Sequence, residues 1–145
     1  LRRQHDAAGN LASQITAQID RIGAHPTADD AFRITMLLAK LTGTLRIHFA
    51  QEDRHLYPSM MASGQGGAAA TARRFFEEMG QIGPAIAAFG ETWLNSSAIV
   101  RDWDGFRAET NALFAALTDR ITRENEILYP LADALAEEDV PVQAA

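Results

Sequence analysis

The stretch that decides the fold is RIHFAQEDRHLYP, residues 46–58. It continues a run in which Ile34, Leu37, Leu38, Leu41 and Leu45 recur every three or four positions, the spacing of one face of an α-helix. Carried forward, that rhythm assigns the next inward places to His48, Glu52 and His55. Ionisable side chains are costly to bury alone. A helix with these groups on its inward stripe needs compensating partners on the elements it packs against.

Working outward, four segments carry the same rhythm. Residues 1–22 place His5, Ala8, Leu11, Ala12, Ile15, Ile19 and Ile22 on one stripe, and Gly23 with Pro26 ends it. The second segment covers about 29–61, with Thr27 or Asp29 as its N-cap, and SGQGG closes it as a loop. The third, about 67–94, aligns Phe75, Met79, Ile82, Ile86, Phe89 and Trp93. Pro84 cannot donate to the carbonyl one turn back, so a kink is predicted there. LNSSAIVRDWD then reads as a connection, with Asp102 or Asp104 capping a fourth segment, about 102–136. That segment turns Phe106, Leu113, Leu117, Glu124, Ile127 and Leu131 inward. No stretch alternates with period two. The predicted fold is all-α, a single domain over 1–145 built as an antiparallel up-down four-helix bundle.

The chain also repeats itself. HFAQEDRHLYP (48–58) lies over RITRENEILYP (120–130) at an offset of 72 residues. Glu52 falls on Glu124, Leu56 on Leu128, Tyr57 on Tyr129, Pro58 on Pro130, and Leu41 and Leu45 fall on Leu113 and Leu117. Two copies of one helical hairpin would place Glu52 and Glu124 at equivalent heights on opposite sides of one bundle.

Composition narrows the chemistry. The 145 residues suffice for one domain with a core, and 47% are hydrophobic. The formal net charge is −6 with the basic residues dispersed, which excludes a nucleic-acid surface. With no Cys there is no disulfide, thiolate ligand or thiol nucleophile, and the default location is cytoplasmic. No apolar run suits a membrane span. Serine-triad and phosphate-loop motifs are absent.

The inward polar residues are His5, His48 with Glu52 and His55, Met79, and Arg120 with Glu124. Two imidazoles and two carboxylates converging in a bundle core suit a divalent first-row metal: iron or manganese, with zinc as an alternative. Arg120 is expected to turn toward Glu124 or Glu52, the inward anions this pattern supplies. Tyr57 and Tyr129 read as packing groups with a wet tip, and His25 as a surface residue. Phe75 and Phe76 are adjacent, so they cannot share one core, and the outward one is a candidate homodimer contact.

The pattern of His5, of His48-x-x-x-Glu52 and of Glu124 followed by Leu-Tyr-Pro resembles the hemerythrin-like HHE cation-binding domain over nearly the whole chain. The resemblance implies the four-helix bundle already reached from periodicity. It also implies non-haem di-iron chemistry serving O2 or a related small ligand. By that alignment His5, His48, Glu52 and Glu124 stand at metal-ligand positions, while Met79 and Arg120 replace the histidines of helices three and four. Arginine does not ligate cations and brings its own charge. The expected centre therefore holds at most one metal ion, and the expected role is a binding or sensing module rather than an enzyme. His55, Met79 and Arg120 are further candidate pocket residues. A metal-free structural bundle, with Arg120 neutralising the carboxylates, is the alternative. A ferritin-like di-iron oxidase, suggested by Glu52-x-x-His55, is weaker, because the second copy reads Glu124-x-x-Ile127.

Overall fold

The structure, a computed structural model, describes residues 1–138. Helix α1 runs over Arg2–Ile22 and stops at Gly23, whose φ of 73° lies in the left-handed region open to glycine. Helix α2, Ala28–Gln51, starts at a capping box. The Thr27 hydroxyl accepts from the Asp30 amide at 3.1 Å, and the Asp30 carboxylate accepts from the Thr27 amide at 3.0 Å. Of the two candidate caps, Thr27 does the capping.

At Glu52 the helix widens into a π-helical turn, Glu52–Leu56, and resumes as α3, Tyr57–Met61. The amide of Tyr57 bonds back to the carbonyl of Glu52, five residues earlier. Glu52 and Tyr57 thereby share the buried face, while His55 between them swings out to solvent. Pro58 follows where the α-helix restarts, a position that tolerates a missing N–H.

Helices α4, Gly66–Met79, and α5, Ile82–Trp93, form the third segment. The break falls at Gly80 and Gln81, one turn before Pro84. This is the physical mark of that proline, whose ring excludes the carbonyl four residues back and offers it no donor. Where the sequence suggested a plain connection, residues Ser96–Arg101 form a further helix, α6. Asn95 caps it, and it buries Ile99 and packs on α2. Helix α7, Trp103–Arg123, begins at Asp102, which accepts from the Gly105 amide at 3.0 Å. A Cβ at Gly105 would collide with the Asp102 carboxylate, so a side chain there would displace it from this position. A second π-helical turn, Glu124–Leu128, leads into α8, Tyr129–Glu138.

Both π turns begin at the repeated glutamate and hand over to the repeated tyrosine, so the duplication extends to local geometry. No strand occurs among the described residues, and the architecture is an all-helical bundle. Helix α1 packs along α2, α2 meets α5 and α6, α5 meets α7, and α3 meets α4. No described helix is long and apolar enough to cross a membrane.

The apolar core falls into two clusters. The larger gathers Ile15, Ile34, Leu38, Leu45, Phe49, Ile86, Phe106 and Leu117 among others. The smaller gathers Tyr57, Met60, Ala72, Phe75, Met79 and Leu128. Along α2 and α7, the buried His48, Glu52, Arg120 and Glu124 fall where one cluster gives way to the other. Of the adjacent phenylalanines, Phe75 is in the core and Phe76 is turned outward, 37% exposed.

The Thr27 cap gives a direct test. Thr27→Ala removes one half of the capping box and should cost about 1 kcal/mol, whereas Thr27→Ser should keep nearly all of it. Chemical denaturation followed by circular dichroism measures the difference, and equal midpoints for the alanine variant and the parent would show that the cap contributes nothing.

Candidate metal centre

The geometry of the centre follows from the two π turns. Each sets a glutamate and the tyrosine five residues later on one buried face, and the copies then exchange partners. Tyr57 donates to Glu124 Oε2 at 2.8 Å, and Tyr129 donates to Glu52 Oε2 at 2.7 Å. The tyrosines are therefore not packing groups with wet tips. Their hydroxyls are buried and each binds the carboxylate of the opposite copy. Burial first, and the neighbouring carboxylates second, push both phenols well above their ordinary range, so both stay protonated.

The remaining carboxylate oxygens face the histidines. His48 Nε2 lies 2.9 Å from Glu52 Oε1, His5 Nε2 lies 3.2 Å from Glu124 Oε1, and the two Nε2 atoms are 2.8 Å apart. The other ring nitrogens are held from behind. Gln4 Oε1 contacts His48 Nδ1 at 2.5 Å, and Asn125 Oδ1 contacts His5 Nδ1 at 2.8 Å. An amide oxygen only accepts, so each Nδ1 donates its proton to it and each Nε2 is left as a lone pair. His5 Nε2 then sees only acceptors around it: His48 Nε2, Glu124 Oε1 and the Tyr129 oxygen at 3.1 Å. Glu52 Oε1 and Glu124 Oε1 are fully buried and have no hydrogen-bond donor.

Such a convergence of lone pairs demands positive charge. The ligand atoms of His5, His48, Glu52 and Glu124 lie within 4.8 Å of one another, and all four residues are buried. Two neutral imidazoles with two orphaned carboxylate oxygens form a donor set that suits a divalent first-row cation. The residues fit a metal ion.

Without a cation, protons must stand in. Burial, reinforced by Glu124, raises the Glu52 carboxyl from its ordinary 4.5 to about 8. Burial alone would lower His5, but the hydrogen bonds to Glu124 and Asn125 outweigh it and raise it. Burial, with His5 beside it, lowers His48 to about 4. Glu124 is lowered: burial pushes it up, yet His5, Arg120 and Tyr57 together prevail.

Arg120 occupies the other side of the carboxylates and is 1% exposed. Its Nε donates to Glu124 Oε2 at 3.1 Å, and Nη2 lies 3.6 Å from Glu52 Oε1, so it turns toward both glutamates. Nη1 donates to the Met79 carbonyl at 3.2 Å, and Nη2 to Asp53 Oδ1 at 2.9 Å. The guanidinium lies over the Phe49 ring, 4.0 Å from its centroid. Met79 contributes its backbone oxygen to this arrangement and its side chain to the smaller core cluster.

Two expectations are corrected here. His55 is exposed, because the wide turn rotates it off the inward face, and the Glu52-x-x-His55 motif is left without its histidine. Glu52 and Glu124 are also not the only anions in reach, since Asp53 is a third. Gln4, Asp53 and Asn125 were not legible as functional residues. Asp53 and Asn125 occupy equivalent places at the offset of 72, directly after each glutamate, and that shared polarity was the available signal. Gln4 lies outside the repeat and had none.

Beyond its own geometry, the chain matches a known family: a model of the hemerythrin HHE cation-binding domain covers residues 1–132. The chain belongs to that family. No curated protein and no solved structure matches it. In this member of the hemerythrin domain family, four donor residues cluster and a guanidinium lies beside them.

The proton arrangement predicts a pH dependence for the metal-free protein. A carboxyl raised to about 8 contributes stability that is complete below its unfolded value and is lost as pH rises through 8. The raised His5 acts in the same sense above 6.5. His48, being lowered, opposes this only below 6.5. In a chelating buffer, stability should fall by on the order of 1 kcal/mol per pH unit between neutrality and the upper end of this window. Glu52→Gln should flatten the slope. Urea titrations at intervals across that range measure it, and a slope unchanged by Glu52→Gln would remove Glu52 as the proton carrier.

Proposed function

We propose that this hemerythrin-family domain binds one divalent metal ion through His5, His48, Glu52 and Glu124, within an antiparallel four-helix arrangement. On this reading it serves as a binding or sensing module for O2 or a related small ligand. Iron is the first candidate, with manganese or zinc as alternatives. The observation that carries the metal reading is the acceptor-only pocket, where two Nε2 lone pairs and two buried carboxylate oxygens meet with no donor among them. The small-ligand part rests on what resemblance to the family implies; the family model itself names cation binding.

When bound, the ion would supply a Lewis-acidic centre. The chain's own residues supply the rest. Gln4 and Asn125 fix the imidazole tautomers. Tyr57 and Tyr129 each hold one oxygen of a carboxylate and leave the other free for the pocket. Arg120 lies against both glutamates, 3.1 Å from Glu124 Oε2 and 3.6 Å from Glu52 Oε1, where its charge opposes a second ion.

A metal-free structural bundle is the second reading, favoured by one observation: Arg120 already contacts Glu52, Glu124 and Asp53. Metal-dependent stabilisation separates the two. A ligand bound only by the folded state at a hundredfold excess over its Kd stabilises by about 2.7 kcal/mol. Under anaerobic conditions, ferrous ion should therefore raise the melting temperature of the wild type by several degrees. Both His48→Ala and Glu52→Gln should abolish that rise. If ferrous, manganous and zinc ions all leave the wild-type melt unmoved, the structural reading replaces the metal-binding one.

A further inference from the structure

We propose that Asp53, acting through Arg120, sets the charge of the centre so that it takes a single divalent cation and discriminates against a trivalent one. This rests on the metal-binding reading above and adds which ionic charge the pocket accepts.

Asp53 is not placed to be a ligand. It follows Glu52 in the π turn, its side chain is 25% exposed, and it points at the guanidinium rather than the histidines. Its contact completes the anchoring of Arg120, each of whose guanidinium nitrogens then has an acceptor: Glu124 for Nε, the Met79 carbonyl for Nη1 and Asp53 for Nη2. With the Phe49 ring beneath it, the guanidinium is fixed in place.

The repeat explains the choice of residue. At the offset of 72, His48 corresponds to Arg120 and Asn125 to Asp53. In one half of the centre a neutral amide, Asn125, steadies a neutral imidazole, that of His5. In the other half a carboxylate, Asp53, steadies a cation. The second half is thus built around a permanent internal charge.

Counting charge over the cluster gives the selectivity. The carboxylates of Glu52, Glu124 and Asp53 face the single guanidinium of Arg120, leaving two negative charges. The imidazoles with free Nε2 are neutral and the phenols are protonated. One divalent ion cancels the remainder. A trivalent ion would leave a net positive charge beside four buried residues, His5, His48, Glu52 and Glu124, an arrangement that protein interiors penalise. Removing the charge of Asp53 would lower the formal net charge of the cluster from two negative units to one.

The test varies the charge and leaves the ligands alone. Asp53→Asn keeps an amide oxygen for Arg120 while removing the negative charge, and Arg120→Met removes the opposing positive one. Full-length protein is dialysed against zinc or gallium ions buffered with nitrilotriacetate, and bound metal is quantified by elemental analysis. Metal-free thermal melts establish that each variant is folded. If Arg120→Met does not fold, the Asp53→Asn comparison decides alone.

The wild type should take up zinc and hold gallium weakly. Asp53→Asn should weaken zinc about tenfold and gallium about thirtyfold, because the Coulomb energy scales with ionic charge. Arg120→Met should shift the preference the other way, toward gallium. A zinc-to-gallium affinity ratio that is the same in the wild type and Asp53→Asn overturns the charge inference and leaves the metal site standing. A wild type that binds neither ion overturns the metal reading and this inference together.

Discussion

Glu52 and Glu124 are completely buried and share one neighbourhood, and two carboxylates so placed cannot both stay ionised without nearby positive charge or donated hydrogen bonds. The surrounding structure answers that constraint. Tyr57 and Tyr129 satisfy one oxygen of each carboxylate, Arg120 supplies a permanent cation, and the other two oxygens are left facing the imidazoles. The π turns are what make the tyrosine arrangement possible. In an unbroken α-helix a residue five places on lies well round from the first, whereas the wider turn brings it back to the same face. Each glutamate and its tyrosine can thus both point inward from one strand of chain.

An arginine and a metal ion are different solutions to the same electrostatic demand. A divalent ion takes lone pairs from several ligands at once and leaves when its ligands are protonated. A guanidinium brings donors in a fixed plane and stays charged at any ordinary pH. The centre is asymmetric in this respect: a guanidinium from α7 contacts both glutamates, and the imidazoles come from α1 and α2. That asymmetry also explains why Met79 needs only its backbone oxygen at the site. The guanidinium asks for acceptors, and a thioether is a poor one, so the side chain is free to pack with Phe75 and Leu128.

The helical rhythm made most of the architecture legible, because a stripe such as Ile34, Leu38, Leu41 and Leu45 is buried as periodicity requires. The same rhythm led to His5, His48, Glu52, Arg120 and Glu124 as inward residues, and the repeat paired the two glutamates. It failed at His55, and at Ile127 one repeat on, which is 42% exposed, for a specific reason. Counting in steps of three and four assumes an α-helix, and the π turn at Glu52 changes the period at the very place where the motif is read. The roles of Tyr57 and Tyr129 were obscure because a hydroxyl at the end of a packed ring can face solvent or a buried acceptor, and only tertiary packing decides between them. Gln4 and Asn125 act on ring nitrogens from α1 and from the second π turn, contacts that no local pattern encodes. The helix at Ser96–Arg101 was hidden for a simpler reason, being too short to show a period.

The exchange of partners between the two copies has a consequence for the order of events. Tyr57 and Glu124 are 67 residues apart in the chain, and Tyr129 and Glu52 are 77 apart. Neither hairpin can satisfy its own carboxylate, so an isolated half would expose a bare buried-type anion and gain nothing by closing early. Contacts of such long sequence separation pay their loop-closure entropy before they return any energy. The cluster is therefore complete only when the two copies of the repeat are docked.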